Sequence, residues 1–296
     1  MKQYYPSICL DRICALFGIT RHAYYKYYKR LEIQTYHHHI VLSLVEEIRI
    51  SQPRIGTRKL YKLIKPKLEQ HQIKLGRDGL FKLLYNHNML VRNRKRFKSL
   101  TNSNHHFKKY PNLIKGLDID TIDMVWVSDI TYIKTVTQQV YLFLITDAYS
   151  KKIIGYTISD NLKATNAVKA LEIALKDKSI NRETIHHSDR GSQYACDQYI
   201  NLLKKNAIKI SMTKGGSPQE NAIAERINGI LKTEFLSYLK LYDLTDAKKK
   251  IKSVINIYNS ERPHLSCGMM TPNQAHSSKA VLKPLWKNYK KKRYGM

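Results

Sequence analysis

The chain has 296 residues, of which 43% are hydrophobic, so it can form one large domain or two to three small ones with a true core. Its 52 Lys and Arg residues outnumber 23 Asp and Glu residues, and a formal net charge of +29 favours an anionic partner such as nucleic acid. The longest apolar run, residues 140–145, is too short to span a bilayer, so we expect a cytoplasmic protein with no membrane partner.

The first helical pattern predicts a helix-turn-helix. Residues 10–30 read as one helix, a turn at Gly18 and a second helix that Thr20 can cap. In a DNA-binding helix-turn-helix the second helix enters the major groove, where cations and hydrogen-bonding side chains contact phosphates and base edges. The alternative is a helical hairpin that only packs, because short matches of this kind arise by chance. The predicted DNA contacts in this segment are Arg21, His22 and Lys26.

A second helical region follows over residues 54–96. Its leucines recur at helical spacing, and it ends in a run of cations. We therefore predict a second helical DNA-binding domain, similar to a helix-turn-helix, over residues 51–98, after a first segment over residues 1–50. Its predicted DNA contacts are Arg58, Lys59, Arg92, Arg94, Lys95 and Arg96.

Two other stretches lack any periodicity. Residues 99–119 are polar and contain a proline, which predicts a basic linker that either follows a DNA backbone or is simply solvated. Residues 286–296 form a basic C-terminal tail, suited to a DNA backbone or to solubility.

The region between them, residues 120–285, has the pattern of an α/β domain. Three runs rich in β-branched and aromatic residues predict an antiparallel meander. A helix, a strand, a helix, a strand and a long helix from about residue 220 follow. This order predicts a mixed five-stranded sheet with flanking helices, which is the order of the ribonuclease H-like fold. The predicted strands span residues 124–134, 140–147, 152–159, 183–188 and 208–212.

Three acidic residues stand out in this basic chain. Asp129 lies within the first strand, Asp189 lies just past the fourth, and Glu225 lies on the last helix, away from its apolar stripe. A carboxylate in an apolar strand is costly to bury unless a cation neutralises it, and magnesium both binds carboxylates and contacts phosphate oxygens. Converging acids would therefore suit phosphodiester chemistry. Taken singly, each residue also has a structural explanation: an ion pair, a turn and a solvated helix position.

Four sequence motifs resemble those of the integrase-core (DDE) transposases of bacterial insertion sequences, specifically of the protein encoded by the second reading frame, called OrfB. The likeness covers nearly the whole chain, and the 35 residues between Asp189 and Glu225 are typical of that family. Glu220 stands where an Asp is more usual and Arg226 where a Ser is frequent, which bears on DNA contacts more than on the three acids. The motifs are "WVSDITYI", "HHSDRGSQYA", "KGGSPQENAIAERINGILKTEF" and "YNSERPHLSCGMMTP".

The resemblance implies that Asp129, Asp189 and Glu225 are catalytic and hold two Mg²⁺ or Mn²⁺ ions. The implied reaction is DNA cleavage at transposon ends, followed by transfer of the 3′-hydroxyl strand to target DNA. The implied partners are double-stranded DNA, further copies of the chain on that DNA, and an upstream-frame OrfA product or OrfAB fusion, in the bacterial cytoplasm at the nucleoid. Within the core, the predicted DNA contacts are His187, Arg190, Gln193, Lys214, Asn221, Arg226 and Lys232.

Two other functions remain open at this point. A nuclease with the same fold would cut DNA without joining it. A non-catalytic repressor would bind DNA through the N-terminal helical regions alone. No sustained heptad repeat is present, which predicts weak recognition of transposon ends by this chain alone.

Overall fold

The structure is a computed structural model that describes residues 8–91, 107–176, 183–214, 218–278 and 281–285. The chain forms two compact units, one of Met1–Ile50 with Leu60–Leu90 and one of Ser51–Lys59 with Val91–Met296. Within the described ranges, no helix combines the length and apolarity needed to cross a membrane. The functional division at residues 50, 98 and 119 stays a prediction, and the tail over residues 286–296 lies outside the described residues.

The N-terminal part of the chain is helical. The turn predicted at Gly18 is present with φ of +66°, and the Thr20 hydroxyl accepts a hydrogen bond from the Ala23 amide at 3.1 Å, so the predicted cap is confirmed. The second helix extends much further than residue 30. In its C-terminal half, Val41 and Val45 are fully buried, while Ile50 at the end is exposed. The helices are α1 (Leu10–Leu16), α2 (Arg21–Ser51), α3 (Thr57–Gln70) and α4 (Arg77–Asn86).

The second unit contains one mixed five-stranded sheet of order β3-β2-β1-β4-β5. β1 pairs antiparallel with β2, and β2 pairs antiparallel with β3, while β4 pairs parallel with both β1 and β5. All five predicted strands and the predicted meander are confirmed. The strands are β1 (Val125–Lys134), β2 (Gln139–Asp147), β3 (Ile153–Ser159), β4 (Ile185–Ser188) and β5 (Lys209–Met212).

Helices cover both faces of this sheet. On one face, Phe143 of β2 packs in a cluster with Leu171 and Leu203, and on the other, Leu144 packs in a cluster with Ile227 and Ile251. Alternation along β2 sends neighbouring side chains to opposite faces, which is why one strand serves both clusters. The helices of this unit are α5 (Ala164–Lys176), α6 (Ser192–Ala195), α7 (Asp197–Lys205), α8 (Ala222–Ile230), α9 (Leu244–Ser260) and α10 (Pro272–Ser277).

The long helix predicted from about residue 220 is interrupted. A 3₁₀ turn at Pro218–Asn221 precedes α8, and a π-helical turn at Leu231–Phe235 and a 3₁₀ turn at Leu236–Tyr238 follow it. Leu231 and Phe235 are both buried, and their spacing of four also fits an α-helix. The apolar period therefore could not reveal the π turn.

The described part of the predicted linker, residues 107–119, packs against the core. Phe107 and Tyr110 contact a buried cluster next to β5, and the Leu113 amide donates to the Ser211 hydroxyl at 2.9 Å. This segment therefore covers the β5 end of the sheet instead of crossing solvent.

Candidate active site

Strand pairing sets two carboxylates at one level of the sheet. In the parallel pair of β1 and β4, Val125 lies opposite Ile185 and Val127 lies opposite His187. Asp129 and Asp189 each follow two residues after the last of these pairs, and the charge of Asp189 acts on the pKa of Asp129. Neighbouring strands are about 4.8 Å apart. Two aspartates that are distant in the sequence therefore lie side by side.

Two asparagines attach α8 to β1. The Asn221 amide group donates to the Ser128 carbonyl at 3.0 Å, and the Asn228 amide group donates to Asp129 Oδ2 at 2.7 Å. Glu225 lies four residues after Asn221 and three before Asn228, so the three residues share one side of the helix. The third carboxylate, which is exposed, is thereby placed beside the first.

The three carboxylates influence one another. Burial raises the pKa of Asp129 to about 7, helped by the charges of Asp189 and Glu225 and opposed by the hydrogen bonds from Asn228 and the Ile130 amide. Within the described ranges, no three His, Cys, Asp or Glu side chains lie at the spacing of metal ligands. The mutual repulsion of these acids is of the kind that a bound cation would relieve.

The turn after β4 fits closely around Asp189. The Gly191 amide donates to Asp189 Oδ1 at 3.0 Å, and a Cβ on Gly191 would also lie 3.0 Å from that oxygen. The close approach disfavours a larger residue here because Asp189 would have to shift, whereas the φ of −65° is open to any residue. Two predicted DNA contacts support the same loop: Arg190 Nε donates to the Thr213 carbonyl at 2.7 Å, and Gln193 Nε2 donates to the Leu162 carbonyl at 3.1 Å.

Three predicted DNA contacts lie in the interior instead. His187 is fully buried with its Nδ1 2.8 Å from the Ser211 hydroxyl, and burial lowers its pKa to about 4. Asn221 is used to attach α8, and the Lys59 side chain is only 12% exposed and binds Glu234 at 3.3 Å. The structure thus gives these three side chains internal partners, and their contacts with DNA stay predictions; local sequence does not reveal which side chains a distant segment will cover.

The other predicted DNA contacts differ in position. Lys232 is half-buried near the carboxylates: burial lowers its pKa, while the charge of Asp129 raises it. Those outside the described residues are Arg92, Arg94, Lys95 and Arg96. Those exposed on the surface are Arg21, His22, Lys26, Arg58, Lys214 and Arg226.

A buried ion network follows the candidate catalytic helix. Arg262, 1% exposed, donates through Nε and Nη2 to the two oxygens of Glu234, each at 2.8 Å, and its Nη1 lies 2.8 Å from His264 Nε2. Lys59 adds its contact to the same carboxylate. Glu234 belongs to the π turn, so the network fixes the segment that continues α8. Sequence reasoning missed Glu234 because its partners are 28 and 175 positions away.

The strand order, with helices on both faces, defines a ribonuclease H-like α/β core. Comparison with known proteins agrees: residues 123–218 and residues 206–272 each match the family described as Integrase core domain. Over 264 residues the chain is 32% identical to the "Insertion element IS600 uncharacterized 31 kDa protein" of Shigella sonnei, covering 88% of this chain and 96% of that protein.

The chain is also similar to a named transposase and to a solved integrase core. Over 243 residues the chain is 27% identical to the "Transposase for insertion sequence element IS904" of Lactococcus lactis, covering 76% of this chain and 96% of that protein. The solved HTLV-2 integrase catalytic core domain in complex with magnesium aligns with 53% of this chain and 97% of that chain, with 18% identity and a TM-score of 0.41. The chain belongs to the integrase-core family of insertion-sequence transposases, as its motifs predicted, and it is an enzyme of that class.

Proposed function

We propose that the chain cuts DNA at the ends of an insertion sequence and joins the freed 3′-hydroxyl to target DNA at the cluster of Asp129, Asp189 and Glu225. The main support is that carboxylates from β1, from the turn after β4 and from α8 come together at one site, where burial of Asp129, with the charges of Asp189 and Glu225, raises the pKa of Asp129. Neighbouring carboxylates destabilise one another when ionised, and such strongly shifted pKa values are concentrated at functional sites.

The donor set fits Mg²⁺ or Mn²⁺. All three side chains offer carboxylate oxygens, the ligands that hard divalent cations prefer, and Asp129, Asp189 and Glu225 would hold the ions. When two such ions are bound, they activate the attacking water or hydroxyl and stabilise in-line displacement at phosphorus.

The chain's own side chains prepare this site. Asn228 fixes one oxygen of Asp129, and the Ile130 amide, 2.9 Å from Oδ1, fixes the other, so the carboxylate is held in one orientation. Lys232 places a cation beside it, suited to a phosphate of the DNA. The net charge of +29 draws DNA to the protein over a longer range.

Strand transfer by the full chain tests the proposal. Labelled transposon ends, a supercoiled target plasmid and Mg²⁺ are incubated with wild type, with Glu225→Gln and with Glu172→Gln, whose carboxylate is exposed on α5. We expect Glu225→Gln to lose at least about 10²-fold in cleavage and joining while still binding DNA, and Glu172→Gln to keep both activities. Cleavage without joined products would indicate a nuclease, and binding without cleavage by wild type would indicate a repressor.

Further proposals concern the partners and the location of the chain. We propose that it acts at the nucleoid in the bacterial cytoplasm, as a homo-oligomer on double-stranded DNA, and that an OrfA product or an OrfAB fusion supplies recognition of the transposon ends. Footprinting of this chain beside the fusion tests the last point. Tight, end-specific protection by this chain alone would contradict it.

A further inference from the structure

A groove lies at the β3 end of the sheet, apart from the carboxylate cluster. Its cavity of about 580 Å³ is lined by the C-terminal half of β3, by the start of α5 and by the start of α9. β3 is the terminal strand of the sheet, so its outer backbone edge faces no other strand of the described sheet. Nothing in the proposed cleavage site uses this groove.

Four lysines line the groove from two sides. Lys163 and Lys169 lie before and on α5, and Lys248 and Lys252 lie one turn apart on α9. All four are exposed, and none forms an ion pair with an acidic side chain in the described part of the chain. The acid among the lining residues is Asp160, whose carboxylate accepts hydrogen bonds from neighbouring side chains.

The local backbone adds to this positive charge. The N-terminus of α5 lies at the groove, and its first turn contains no acidic residue. The partial positive charge of a helix N-terminus favours anions, and here it supplements the lysines. At the N-terminus of α9 the partial positive charge is already compensated, because the Asp243 side chain caps that helix by accepting a hydrogen bond from the Asp246 amide.

We propose that this groove binds the phosphate backbone of DNA, as a second DNA surface of the transposase. Ammonium groups on both rims match a polyanion. A protein partner would call for aromatic or aliphatic anchors at the centre of the surface, and the lining offers mainly polar side chains with Tyr156, Ile158 and Leu244. Lysines act as point charges on phosphates and read no bases, so the binding is independent of sequence.

The strand register gives the distance from the carboxylates. Asp129 lies opposite Leu144, and Leu144 lies opposite Tyr156, so the groove begins two strands from Asp129, about 10 Å along the sheet. This inference rests on the proposed function in one respect: an enzyme that joins DNA ends to a target must hold two DNA segments at once. A cationic groove near the carboxylates, but not at them, fits the second segment.

The test compares two triple variants with the same loss of charge. One carries Lys169→Gln, Lys248→Gln and Lys252→Gln, and the control carries three exposed lysines of α5 and α7 changed likewise, Lys176→Gln, Lys204→Gln and Lys205→Gln. Binding of a labelled duplex of unrelated sequence is measured by anisotropy over a range of salt, in the Glu225→Gln background to prevent cleavage. We expect the groove variant to lose at least about 10-fold in affinity and about 2–3 in the slope of log K against log salt, and the control to lose far less.

Charge rather than shape should decide the result. Replacing the same groove lysines by arginine should keep the affinity and the salt slope. Equal losses in the groove and control variants would overturn the proposal, since net charge alone would then explain binding. Unchanged DNA binding with stronger self-association in sedimentation would overturn it too, because the lysines would then serve to keep β3 edges apart. Anisotropy measures binding without joining, so failure here is distinguishable from failure of the strand-transfer assay.

Discussion

Replacing Arg262 by methionine would measure how much the buried ion network stabilises the core. Methionine has an unbranched apolar side chain of similar length, so the variant fills the same space. It removes two hydrogen bonds of 2.8 Å to Glu234, whose side chain is 17% exposed. Charge-assisted hydrogen bonds contribute about 1.5–3 kcal/mol each, and breaking a buried ion pair costs about 3–5 kcal/mol. The two figures agree on a loss of about 4 kcal/mol in the free energy of unfolding.

Urea unfolding of the full chain provides the assay. In a Trp286→Phe background the fluorescence comes from Trp126, which is fully buried in the core. Arg262→Met with Glu234→Gln should recover about 1–3 kcal/mol, because the carboxylate is no longer left without its main partner. Arg226→Met, at an exposed position, should change stability by less than about 0.5 kcal/mol. A loss below about 1 kcal/mol for Arg262→Met, or a fully additive double variant, would refute this account.

Three other changes test the site and the core. Asp129→Asn in metal-free buffer at pH 7.5 should raise the free energy of unfolding by roughly 1–3 kcal/mol, since it removes a carboxylate whose pKa is raised to about 7. Calorimetry should also show that Mg²⁺ stabilises the wild type more than the variant. Burial lowers the pKa of His186 to about 3 and that of His264 to about 2, so both take up protons on unfolding below pH 6.5. Stability measured by urea unfolding in the Asp129→Asn background should therefore be nearly constant above about pH 7.5 and, from these two histidines, about 3 kcal/mol lower at pH 5.5. Gly155→Ala should cost roughly 1–3 kcal/mol or more in urea unfolding, because its Cβ would collide with the backbone of α5.

Each of these expectations has a clear opposite result. If metal-free Asp129→Asn were less stable than wild type, burial and the neighbouring carboxylates would not be destabilising the ionised Asp129. Equal stability at pH 7.5 and 5.5 would show that the two histidines are not buried as neutral groups. Gly229→Ala, where the added Cβ meets open space, is the control for Gly155→Ala and should be neutral or slightly stabilising. Equal effects of the two substitutions would contradict the close approach at Gly155.

The sequence allowed the sheet to be predicted because its strands have a local signal. β1, β2 and β3 are each rich in β-branched and aromatic residues, and the turns between them are short. The positions of the three acids followed from motif spacing, and the register of β1 with β4 brings two of them together. These features depend on residues close in the chain or on a topology with few alternatives.

The features that could not be predicted depend on long-range packing. α2 continues to Ser51 although its first half buries little, so no apolar period marked its length. The burial of Lys59 and His187 depends on Glu234 and Ser211, which come from other segments. Asn228 gained its role only from contact with Asp129, 99 positions away. A polar side chain on a helix looks the same in sequence whether solvent or a strand faces it.

The order of the two compact units affects how the protein can be divided for study. Ser51–Lys59, which includes the first turn of α3, belongs to the unit that contains the sheet, although residues 60–90 come between it and the rest of that unit in the chain. A fragment that started at residue 120 would lack Lys59, which pairs with Glu234, as well as the buried Ile55 and the packing of Phe107 against the core. A fragment meant to keep the whole sheet-containing unit must therefore retain Ser51–Lys59 together with Val91–Met296.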